Sequence, residues 1–195
     1  MFKKPIAKFA FAGPVCSGKT TMAWKLLAML KSAGYLVDGA VNEYRRTMTF
    51  DLSKIHENPW AQYLMVLQKA TAEASLAARS DVEVIVSDRS VVDTYAHMVL
   101  QNGDWEDPTL SKFVKAWMGT YTCVYVLAPL KYVDDGLRVD GGRDELFELL
   151  ISERARQFFG PNLVYIPRKK IFKHVLELLG EMKLQMSPVG VDNDY

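Results

Sequence analysis

Residues Gly13-Pro14-Val15-Cys16-Ser17-Gly18-Lys19-Thr20 spell G-x-x-x-x-G-K-[ST], a pattern that dictates a strand, a tight loop and a helix in immediate succession. The flanks agree, since Ala7–Ala12 reads as a buried strand and Thr21–Leu30 as an amphipathic helix. Glycine lets successive backbone N–H groups curl around phosphate oxygens, and a helix beginning near Gly18 turns its positive end towards them. The loop backbone at Gly13, Cys16, Ser17 and Gly18 is therefore the expected cradle for a nucleoside triphosphate, with Lys19 reaching the β and γ phosphates. Thr20 is expected to bring a hydroxyl to Mg²⁺, and Thr21 to act as a neighbouring phosphate donor.

Four further apolar runs, at Leu36–Val41, Val82–Val86, Cys123–Leu127 and Leu163–Ile166, alternate with helical stretches. The helices are expected at Lys19–Ala33, Trp60–Arg79, Val91–Leu100, Pro108–Met118, Asp144–Phe158 and Arg168–Lys183. That alternation predicts an α/β fold, a parallel five-stranded sheet with helices on both faces. At 195 residues one domain is expected, over residues 1–183, with a loosely ordered tail over 184–195.

Composition excludes several classes. Hydrophobic residues make up 49% and charged residues 24%, and no apolar run is long enough to span a bilayer. The N-terminus leads straight into the first strand and does not read as a secretory signal, so a cytoplasmic protein is expected. Cys16 and Cys123 suggest free thiols, neither a disulfide framework nor a zinc site. A net charge of +1 gives no overall basic field, and Arg168-Lys169-Lys170 with Lys173 reads as a solvated helix face.

In an open parallel sheet, ligands gather outside the carboxyl ends of the strands. Asp88 ends the third apolar run, where a carboxylate can hold Mg²⁺ beside the phosphate loop; the alternative is a helix cap by Asp88 or Ser90. Arg89 is placed to meet a phosphate or the transferring group. Glu43, after the second run, is the candidate base for an attacking hydroxyl, with Asp88 and Asp93 as rivals. Its alternative is a solvent-exposed ion pair with Arg45 or Arg46, which otherwise serve as acceptor-side anchors. The glycine-bearing loop at about 134–144 is read as a lid that carries Arg138 and Arg143 over the triphosphate. Gln68 and Tyr95 are the candidates for binding a planar acceptor by hydrogen bonding and stacking.

The phosphate loop, Glu43, Asp88-Arg89-Ser90 with Asp93 and Tyr95, and Asp135-Gly136-Leu137-Arg138 with Arg143 resemble the kinase domain of bacterial nicotinamide riboside kinases and their AAA-like relatives. The resemblance runs from about Lys8 to Leu179. Asp88-Arg89-Ser90 is also similar to the corresponding segment of deoxynucleoside kinases, which use a glutamate at the Glu43 position as base and an arginine at the Arg89 position near the phosphates.

The resemblance implies a P-loop kinase with three layers and strand order 2-3-1-4-5. It places Arg138 and Arg143 in the lid, and Pro167 and Arg168 beside the adenine. The sequence departs from the bifunctional riboside kinases in having no stretch expected to form their adenylyltransferase domain, and no residue set that specifies nicotinamide. Small relatives of this kind also occur in phage genomes, where some phosphorylate a hydroxymethylated pyrimidine within DNA.

The expected activity is transfer of the γ-phosphate of ATP, with Mg²⁺, to a hydroxyl of a small nucleoside-like or nucleotide acceptor. A kinase acting on 5-hydroxymethyluracil in DNA is the first alternative, and an ATP-hydrolysing switch the second. No guanine-selecting N-K-x-D sequence is present, so adenine is the expected base.

Overall fold

The computed structural model describes residues 6–40, 59–103, 108–131 and 143–184. Met1–Tyr165 form one compact unit and Ile166–Tyr195 a second. The first unit runs β1 (Ala7–Ala12), α1 (Lys19–Ser32), β2 (Val37–Ala40), α2 (Pro59–Ala78), β3 (Val84–Asp88), α3 (Val91–Asn102), α4 (Leu110–Met118), β4 (Cys123–Val126), α5 (Arg143–Ile151), α6 (Glu153–Phe159) and β5 (Leu163–Val164). The second holds α7 (Arg168–Leu184), which buries Ile171, Val175 and Leu179 at four-residue spacing.

The five strands form one parallel sheet in the order β2-β3-β1-β4-β5, as the resemblance implied. β1 and β3 are buried at every position, which is why they read as unbroken apolar runs and not as alternating ones. Consecutive residues near the end of β3 show that helices cover both faces: Ser87 bonds Glu73 on α2, while Asp88 bonds Thr20 on α1. On the α3 side, Ala10 and Ala12 of β1 join Val124 and Val126 of β4 in one cluster with Val92, Val99, Val114 and Leu146.

Beyond shifts of one or two residues at several element ends, two differences from the sequence reading bear on the site and the scaffold. β3 extends through Ser87 and Asp88, because Ala10 and Phe11 of β1 pair with these polar residues and continue the ladder. The single helix expected over Asp144–Phe158 is two: Ser152 takes an extended conformation and its hydroxyl accepts from the Ala155 amide at 3.1 Å, capping α6.

One lysine interrupts β1. Lys8 is 5% exposed, and its Nζ donates to Glu73 Oε2 at 2.9 Å while lying over the rings of Trp117 and Tyr121. Burial pushes this ammonium below the ordinary lysine range and Glu73 opposes the shift. Glu73 also accepts from Ser87 Oγ at 2.7 Å, Trp117 Nε1 at 2.8 Å and Tyr121 OH at 2.9 Å. A buried carboxylate so fully satisfied is tolerated; stripping one partner from a buried ion pair generally costs about 3–5 kcal/mol.

Candidate functional site

The phosphate loop turns on two left-handed glycines and one left-handed cysteine. Gly13 sits at φ 137°, and a methyl group there would meet the Leu127 carbonyl oxygen at 2.5 Å, so the close approach of two backbones requires glycine. Gly18, at φ 72°, is the N-cap of α1 and supplies no side-chain cap, so no side chain at that position screens the positive end of the helix. Cys16 stands at φ 56° between them, and its carbonyl accepts from the Leu130 amide at 3.0 Å. Lys19 folds back across the loop: its Nζ donates to the Gly13 carbonyl at 2.6 Å, the Pro14 carbonyl at 2.7 Å and Ser17 Oγ at 3.2 Å. Three oxygens offset the desolvation of an ammonium only 6% exposed, and hold a positive charge at the loop.

Beside the loop, Thr20 Oγ1 donates to Asp88 Oδ2 at 2.7 Å. The other oxygen, Asp88 Oδ1, is buried and has no hydrogen-bond partner among the described residues. A carboxylate oxygen in that state is costly unless a cation or its water ligand completes it. No three His, Cys, Asp or Glu side chains cluster as a metal site among the described residues. One carboxylate and one hydroxyl next to a phosphate cradle nevertheless fit Mg²⁺, which keeps waters and takes substrate phosphates as ligands.

Arg89 follows at φ 75°, a left-handed conformation that costs a bulky residue about 1–3 kcal/mol and persists where its neighbours fix it. They do: Ser90 is an extended N-cap of α3, and Asp93 Oδ2 accepts from both its amide, at 2.9 Å, and its hydroxyl, at 3.1 Å. Asp93 Oδ1 accepts from the Gly13 amide at 2.9 Å. The carboxylate thus clasps the phosphate loop to the β3–α3 turn, at 1% exposure.

Asp93 was expected on the acceptor side and as a rival base. Both of its oxygens are instead committed to backbone and cap, so it is a structural clasp. Tyr95, expected to face the acceptor, is 1% exposed, stacked on Phe158 at 5.3 Å and edge-on to Phe159 at 6.0 Å, a core position. The clasp left no trace in the sequence beyond the capping-box spacing of Ser90 and Asp93, because its second end lies at Gly13.

Arg143 opens α5 and donates from Nε to the Val15 carbonyl at 3.1 Å and from Nη2 to the Leu130 carbonyl at 2.7 Å, so it touches the outer edge of the phosphate loop. Gln68 is half-buried on α2, with Oε1 buried and without a hydrogen-bond partner among the described residues. Thr21 is exposed on the first turn of α1. Pro167 is exposed and Arg168 half-buried at the start of α7, in the second unit. Glu43, Arg45, Arg138 and nearly all of the expected lid lie outside the described residues.

The two thiols differ sharply. Cys123 is buried in β4, and burial pushes its thiol up to about 12, whereas Cys16 is half-exposed in the phosphate loop. Iodoacetamide at pH 8 should therefore modify Cys16 alone in the folded protein and both cysteines in denaturant, counted by mass spectrometry of the intact chain. ATP should slow modification of Cys16; rapid labelling of Cys123 in the folded protein would contradict its placement.

Among the described residues no helix is long and apolar enough to cross a membrane. No curated protein is significantly similar in sequence. Shikimate kinase from Acinetobacter baumannii in complex with shikimate is similar in structure, with a TM-score of 0.50, 16% identity, and coverage of 93% of this chain and 97% of that one. Deoxyadenosine kinase from M. mycoides with bound dATP aligns at a TM-score of 0.48 and 17% identity, over 89% of this chain and 99% of that one. The first likeness shows the fold, a kinase-like P-loop architecture. Residues 8–169 match the AAA domain family, which takes in the phosphate loop, Asp88 and every strand of the sheet, and the chain belongs to that family.

Proposed function

We propose that this chain is a kinase that moves the γ-phosphate of ATP, with Mg²⁺, to a hydroxyl of a small nucleoside-like or nucleotide acceptor. The observation that carries this reading is the Thr20–Asp88 pair beside the phosphate loop, with Asp88 Oδ1 buried and lacking a partner among the described residues. Bound there, Mg²⁺ would neutralise charge on the β and γ phosphates and hold them in line. The protein's share is position: the loop amides and the α1 terminus bind the phosphates, Lys19 faces the γ-phosphate, and Arg89 meets charge that develops on the transferring group.

Gln68 Oε1 supports a planar acceptor, since a buried amide oxygen lacking a partner among the described residues suits the N–H edge of a base. Glu43 is the proposed base, and Arg45 an acceptor-side anchor. Arg138 and Arg143 are proposed to close over the triphosphate.

The test is a transfer screen with γ-labelled ATP and Mg²⁺ against nucleosides, nucleoside monophosphates, nicotinamide riboside and DNA containing hydroxymethyluracil. Label on a small molecule is the expected result. Label on DNA would make the protein a DNA-modifying kinase, and label only in free phosphate would overturn transfer in favour of a switch. Asp88→Asn should lower the transfer rate by on the order of 10²–10³, measured under saturating ATP; an unchanged rate would remove Asp88 from the metal site.

A further inference from the structure

Two buried ionisable side chains one turn apart on α2 have no part in the reading above. Lys69 is 2% exposed and Glu73 1%. Lys69 Nζ donates to the main-chain carbonyls of Ala40, at 2.9 Å, and Asp88, at 3.2 Å, the last residues of β2 and β3. Glu73 accepts from the hydroxyl of Ser87, the residue before Asp88. Glu73 is itself pinned by Lys8, Trp117 and Tyr121.

The last two residues of β3 are thus gripped from the α2 face. On the opposite face the Asp88 carboxylate meets Thr20 and leaves Oδ1 without a partner among the described residues. A carboxylate set at the end of a strand points wherever its backbone is turned. Here that backbone is fixed on both sides of the Cα, by the Ser87 side chain before it and by its own carbonyl after it.

A methionine at position 69 would fill the same volume without desolvating a charge, so the ammonium is a stability cost. What it supplies is a double hydrogen bond that an apolar side chain cannot make. We infer that Lys69 is a positioning residue for the metal site: by holding the Asp88 and Ala40 carbonyls from behind the sheet, it sets the direction of the Asp88 carboxylate, with Ser87–Glu73 as the second point of the grip. The inference rests on the reading of Asp88 as a metal ligand.

Binding of a fluorescent ATP analogue, measured with Mg²⁺ and again with EDTA, separates the two. The ratio of the two affinities reports how well the protein engages the cation, and a merely structural role for Lys69 would not move that ratio. Metal sites lose about 10–100-fold in affinity when supporting residues around the ligands are changed. Lys69→Met should therefore cut the ratio by at least about tenfold, with affinity in EDTA and the far-UV circular dichroism kept. A folded Lys69→Met protein with the wild-type ratio would overturn the inference.

Should Lys69→Met fail to fold, Ser87→Ala decides, since it removes one small buried hydroxyl: a reduced ratio supports the grip and an undiminished one overturns it. Asp88→Asn is the control for the underlying reading. A wild-type ratio in Asp88→Asn would show that Asp88 is not a metal ligand, and the inference would fall with it; loss in Asp88→Asn but not in the other two would defeat the inference alone.

Discussion

Lys19→Ala is expected to reduce phosphate transfer by on the order of 10²–10³, the usual effect of deleting a positioned charge that meets the transition state. The folded protein should survive the change. Lys19 Nζ holds the loop's own Gly13, Pro14 and Ser17 oxygens, and water can replace it there. At roughly 2–4 °C of melting temperature per kcal/mol for a chain of this size, a shift of a few degrees is expected by differential scanning fluorimetry. Labelled-phosphate transfer measured alongside gives the decisive comparison: full activity in Lys19→Ala would end the kinase proposal.

Gly13→Ala should do damage of a different kind. The added methyl group would sit 2.5 Å from the Leu127 carbonyl oxygen, at a φ of 137° that side chains rarely adopt. The added Cβ is fixed in place by its own backbone and the atom it meets is a main-chain oxygen, so no rotamer change relieves the clash. The loop has to move away from β4, and with it goes the Gly13 amide that Asp93 holds at 2.9 Å. Strain and overpacking of this order cost about 2–4 kcal/mol, or roughly 5–15 °C in Tm. ATP affinity by calorimetry should fall by on the order of a hundredfold, because the amides lose their common curvature. Wild-type melting together with wild-type affinity would mean that the loop tolerates a Cβ at this point.

Much of the scaffold was legible because its signals are local. The G-x-x-x-x-G-K-T spacing fixed the β1–α1 junction, and apolar runs marked the strands, since a sheet covered on both faces buries every residue of its central members. What escaped was decided by partners far along the chain. Ser87 and Asp88 look like a loop by composition, yet they extend β3 because β1 pairs with them.

Tyr95 resembles an aromatic available to a base until Phe158 and Phe159 close on it. Asp93 reads as a free carboxylate until Gly13 arrives from the other end of the site. Lys69 and Glu73 did leave a trace, for they fall with Gln62, Val66 and Ala70 on the buried stripe of α2, where a charged residue is out of place unless something across the interface needs it.

The Glu73 carboxylate also bears on how the chain reaches its native state. Its four partners come from positions 8, 87, 117 and 121, none of them near it in sequence. A half-built assembly with α2 docked but β1 or the end of α4 absent would seal a poorly solvated negative charge against apolar surface. Such intermediates are raised in free energy relative to both the open chain and the finished sheet, which steepens the transition between them and favours all-or-none assembly of this unit. The same residues that would make a partial fold expensive thereby keep sticky, incompletely closed forms of the sheet from accumulating.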